Sequence, residues 1–118
     1  MRTIVAAILV MMCSAAIADE TEDAHRMAVT GRDSYWNCLA REYPRDKNKV
    51  LSEQDFKSLI ANVCASERQN FRTSLVDFLT LQFPELDAGA HLTTANRAIE
   101  LAQKDIVTAF VRRKAAAK

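Results

Sequence analysis

The chain is poor in the residues that break regular structure: two glycines after residue 1, Gly31 and Gly89, and two prolines, Pro44 and Pro84, in 118 positions. Such scarcity argues for long regular elements, and no glycine-rich phosphate loop is present. Aromatic residues make up 7% of the chain and there are only two histidines, His25 and His91. Metal sites need several ligands at fixed spacing, and neither histidine has such company. Neither C-x-x-C nor C-x-x-C-H occurs, which argues against a dithiol redox motif and excludes haem attachment. There is also no excess of one charge sign. Sixteen basic residues face fifteen acidic ones, with both signs spread along the chain. That balance gives no reason to expect nucleic acid as a partner.

What is present first is an address. Arg2 precedes an apolar run from Ile4 to Met12, and Ala16-Ile17-Ala18 is a small-x-small cleavage pattern followed by Asp19-Glu20. The run is far shorter than the roughly 20 residues a membrane span needs. Residues 1–18 therefore read as a secretory signal peptide, and residues 19–118 as one domain in the periplasm or outside the cell. No stable membrane insertion is expected once the signal is removed. Cys13 could instead carry lipid, but such sites want a small preceding residue and Met12 is not one.

Cys38 and Cys64 remain in the mature chain. An even pair in a small exported domain reads as a disulfide. The other reading open to it is two buried thiols.

The prolines divide residues 19–118 into three segments of helical periodicity. In the first, predicted over about 21–43, Ala24, Met27, Ala28, Gly31, Tyr35, Cys38, Leu39 and Glu42 form one stripe. Acidic residues crowd its start, where the helix dipole favours them. Gly31 leaves open a kink in the middle. The second is predicted over about 53–83, with Ser52 and Asp55 as an approximate capping box. Its stripe runs Phe56, Leu59, Ile60, Val63, Cys64, Phe71, Leu75, Phe78, Leu79 and Gln82, with a polar gap at Glu67, Arg68 and Asn70. The third is predicted over about 90–113 on Leu92, Ala95, Ala98, Ile99, Ala102, Ile106, Ala109 and Phe110. The expected fold is all-α, an antiparallel three-helix bundle with one disulfide between the first two helices.

No catalytic serine elbow, Cys-His pair or phosphate loop is present, so no enzyme, no cofactor and no metal are expected. The residues best suited to touch a partner are Tyr35, Trp36 and Tyr43, grouped near Cys38, and the Glu67–Arg68 pair in the polar gap. Arg112, Arg113 and Lys114 read as cations that complement a helix C-terminus. Both histidines read as surface residues. The resulting expectation is a non-catalytic protein-interaction module, a stress chaperone or an inhibitor, whose partner is another protein. The alternative is a small-ligand or metal carrier.

Two sets of residues carry resemblances. Tyr35-Trp36-Asn37-Cys38, followed by Val63-Cys64-Ala65-Ser66-Glu67, resembles small uncharacterised exported helical disulfide proteins of Gram-negative bacteria, which implies no activity. Trp36-Asn37-Cys38 and Cys64-Ala65 are also similar in kind to the HdeA-type periplasmic acid chaperones, with a much shorter stretch between the cysteines than that family has. That likeness implies a small helical domain that binds unfolded clients in acid.

The export reading makes a direct prediction. The intact mass of the secreted protein is expected to match a chain beginning at Asp19, and a lipid-modified chain beginning at Cys13 would overturn it.

Overall fold

A computed structural model describes the backbone of residues 2–117 and the side chains of residues 19–117. Residues 1–18, read above as a leader, and Cys13 with them, lie outside the described side chains. Among the described residues the chain is entirely helical, with four helices rather than three: α1 (Arg2–Ala40), α2 (Glu53–Asn62), α3 (Ala65–Gln82) and α4 (Ala88–Ala116). No helix among the described residues is long and apolar enough to cross a membrane.

The correction to the helix count lies at Val63 and Cys64. The segment expected to run unbroken over 53–83 ends one helix there and starts another. Val63 is extended, and Cys64 adopts a left-handed conformation at φ 59°, ψ 41°. The reason is packing. α2 packs against α4, whereas α3 packs against both α1 and α4. The bend re-aims the chain between these two tasks.

The exposed ends it creates are satisfied locally. The Arg68 guanidinium donates to the Ala61 carbonyl at 2.7 Å, and the Asn62 amide donates to the Ser58 carbonyl at 2.7 Å. The Arg68 backbone N–H donates to the Cys64 carbonyl at 2.9 Å and opens α3.

The other helix starts follow ordinary capping chemistry. Ser52 Oγ accepts from the Asp55 N–H at 3.1 Å, and Asp87 Oδ1 accepts from the Ala90 N–H at 2.8 Å. Between α1 and α2, a 3₁₀ turn (Asp46–Asn48) is held from inside. The buried Asn48 amide donates to the Glu42 carbonyl at 2.9 Å and to its carboxylate at 3.0 Å. This explains why Glu42, the one charged member of the first stripe, is buried.

The core joins Tyr35 and Leu39 of α1, Phe56 and Ile60 of α2, Phe71 of α3, and Ile99, Ala102, Ile106 and Phe110 of α4. Phe56 and Phe110 stack face to face with ring centroids 3.9 Å apart. Three side chains depart from the expected stripes. Gln82 is exposed. Met27 is 65% exposed, and Leu92 is 45% exposed while its neighbour His91 is buried. Residue 91 lies four before the fully buried Ala95, so the core face of α4 begins at the histidine and not at the leucine.

α1 does not break at Gly31. A Cβ there would lie 3.1 Å from the Phe71 Cα, 3.5 Å from its nitrogen and 3.6 Å from the Asn70 carbonyl oxygen. Glycine costs a helix interior about 1 kcal/mol relative to alanine. Here it lets the backbones of α1 and α3 approach closely. Gly31→Leu is therefore expected to destabilise the fold by roughly 1 to 3 kcal/mol, the usual penalty for overpacking. A denaturant titration checks this, and an unchanged midpoint would show that the approach is not constrained.

Candidate functional site

The disulfide is formed: Cys38 and Cys64 are bonded, with Cα atoms 6.2 Å apart and a sequence separation of 26. It ties α1, two residues before its last, to the left-handed residue that starts α3. The Glu67 carboxylate lies within 4.8 Å of both sulfurs. Because each sulfur is bonded to the other, neither serves as a thiolate ligand in this state.

The residues singled out as partner contacts separate into different environments. Tyr35 is fully buried, and its hydroxyl accepts from the Gln103 amide at 2.9 Å, so it belongs to the core and not the surface. Arg68 caps α2, and half-buried Glu67 sits on the first turn of α3, where the helix dipole favours a carboxylate. Trp36 is 41% exposed and lines an open hollow with Arg32, Asp33, Asn37 and Asp105. Tyr43 is half-buried, with the Arg113 guanidinium 5.9 Å above its ring. The five positions therefore do not form one patch.

His91 also departs from the surface reading. It is 3% exposed, and its Nε2 has no hydrogen-bond partner among the described residues. His25 is exposed, as expected, and meets Phe78 edge-on with ring centroids 5.0 Å apart.

A different surface carries apolar groups outside the core. Ala24 and Met27 of α1 and Ser74 and Leu81 of α3 line a hollow of about 280 Å³, with Glu20, Asp23 and Asp77 on its rim. Leu81 is 39% exposed. The periodicity of the first segment put Met27 in the core. The signal that places it outside is its neighbour Ala28, which takes the buried position instead.

The charges, evenly mixed along the sequence, are sorted by the fold. Glu20, Glu22, Asp23 and Asp77 line two hollows between α1 and α3 at one end of the bundle, with Arg26, paired to Asp23, the one Lys or Arg side chain among them. At the opposite end Lys49, Arg113 and Lys114 line one hollow, beside the ion pairs Arg45–Glu42 and Lys49–Asp46. There Lys114 donates to the Leu51 carbonyl, which fixes the tail of α4 to the α1–α2 connector. Lys49 hydrogen-bonds Asp46 at 2.8 Å. That bond, the Lys49 charge and then the Arg113 charge hold the Asp46 carboxyl below its ordinary value.

No protein-family model, no curated protein and no solved structure matches this chain.

The bond between Cys38 and Cys64 makes a quantitative prediction. Closing a loop of this length is worth roughly 3 to 4 kcal/mol in the chain-entropy account. Cys64→Ser is expected to cost about 2 to 5 kcal/mol, read by urea unfolding with and without reductant. The reductant should move the midpoint of the native chain and leave that of the variant where it is.

Proposed function

We propose that the chain is an exported, non-catalytic module that binds another protein through the hollow between α1 and α3. The observation that carries this reading is the position of Met27 and Leu81, two large apolar side chains left in water beside Ala24 and rimmed by carboxylates. An apolar floor with an acidic rim complements a segment that is apolar on one face and basic on the other. The signal-like residues 1–18 and the disulfide support a place outside the cytoplasm. The likeness of Trp36-Asn37-Cys38 and Cys64-Ala65 to HdeA-type chaperones supports the finer reading of a stress chaperone.

The two versions predict different responses to acid. A surface binder recognises its partner at neutral pH, with the bundle closed and without any need of acid. A chaperone activated by acid does the reverse. Its bundle, now strongly positive, opens and exposes Phe56, Phe71 and Phe110.

The test is a titration of the disulfide-bonded chain with a fluorescent peptide of lysine and leucine in helical spacing, at pH 7 and pH 3. Binding at pH 7 that is lost in Met27→Ser/Leu81→Ser, with the melting temperature unchanged, is the expected result. Binding confined to pH 3 and indifferent to the two substitutions would move the function to the opened core. Binding at neither pH would remove the protein-interaction reading.

A further inference from the structure

The basic end of the bundle holds a second hollow, of about 290 Å³, between the α1–α2 connector and the last turns of α4. Lys49, Arg113 and Lys114 converge on it, and Tyr43, Phe110 and Ala117 supply its apolar walls. It is at the small end of ligand-sized pockets.

The cations are held in place before any ligand arrives. Arg113 lies 5.9 Å from the centre of the Tyr43 ring, and the Lys114 ammonium lies 5.4 Å from that of Phe110. Both distances are within the range of cation–π attraction. A cation stacked on a ring face keeps N–H donors that point away from the ring. Lys114 uses one donor on the Leu51 carbonyl and has two others. Neither Arg113 nor Lys114 is in an ion pair with a carboxylate among the described residues.

Two features oppose an anion here. Asp46 already engages Lys49, and the C-terminus of α4 carries about half a negative charge. Three full cations outweigh both. Complementing the helix dipole also needs only cations near the last turn. It does not need them gathered with Lys49, a residue of the connector, around two aromatic rings.

We propose that this hollow binds a phosphate monoester whose organic part is apolar or aromatic. Three separate donor groups match the three terminal oxygens of a phosphate dianion better than the two of a carboxylate. The rings and Ala117 would cover the attached body. This ligand site stands apart from the protein-binding hollow at the other end of the molecule. The chemistry is shared by a free phosphate monoester and by the headgroup of phosphatidic acid.

The experiment is calorimetry on the disulfide-bonded chain with phenyl phosphate at low ionic strength. A parallel arm measures sedimentation with phosphatidylcholine vesicles, with and without phosphatidic acid. Arg113→Ala is expected to weaken binding about tenfold, the loss of one charge-assisted hydrogen bond. Arg112→Ala is the control, because Arg112 lines a different hollow with Glu53, Lys57 and Glu100. It should leave binding unchanged, and melting curves should show both variants folded. Phenyl phosphate binding with this pattern assigns a free monoester. Vesicle binding alone, with the same pattern and a need for phosphatidic acid, assigns the lipid headgroup. Equal losses from both substitutions would reduce the effect to general positive charge and overturn the proposal, as would no binding in either arm. Neither result bears on the peptide titration, which probes the acidic end.

Discussion

The arrangement of this bundle depends on one covalent constraint, the link between Cys38 near the end of α1 and Cys64 at the break before α3. A left-handed conformation at a residue other than glycine costs of order 1 to 3 kcal/mol and persists only where its surroundings impose it. At Cys64 several groups do so. The bond holds the residue from one side, the Arg68 N–H draws on its carbonyl, and the Arg68 guanidinium occupies the end of α2. With the bend fixed, α2 lies along α4 and stacks Phe56 on Phe110. α3 is returned to α1, where Gly31 lets the two backbones meet. An unbroken helix from 53 to 83 could not serve both neighbours in this way.

Much of the architecture was legible from residue types alone. The cap at Ser52, the stop near Pro84 and the pairing of the two cysteines all follow from local chemistry. The break was not legible, for a geometric reason. Ile60 and Phe71 are eleven residues apart, close to three helical turns, so the apolar stripe stays in phase across a bend that hydrogen bonds have already interrupted. The only trace was the polar gap at Glu67, Arg68 and Asn70, whose arginine serves as a cap for the preceding helix. Tyr35 read both as a member of the apolar stripe and as a partner contact because a phenol suits either environment, and in its buried place the hydroxyl is satisfied by Gln103, 68 positions away. The same limit applies to His91, where a one-residue choice of phase decides between an exposed histidine and an exposed leucine.

The candidate surfaces were the least legible part, because each is assembled from segments distant in the chain. Met27 meets Leu81 only through the pairing of α1 with α3. Lys49 meets Arg113 only because Asn48 anchors the connector and Lys114 holds Leu51. A balanced composition likewise conceals a molecule whose ends differ in sign. The pairing of α1 with α3 brings Glu20, Glu22 and Asp23 to the end that holds Asp77.

The disulfide also changes what it means to cut this chain. Residues 38–64 form a covalent ring that contains Arg45, Lys47, Lys49 and the exposed Val50. Hydrolysis of any one peptide bond in that ring opens it without dividing the molecule, since the sulfur bridge still connects α1 to α3. A tension applied at the two termini would likewise run through the bridge and bypass α2. The segment that carries the exposed Arg45, Lys47 and Lys49 is thus one whose backbone continuity is not needed to keep the protein in one piece.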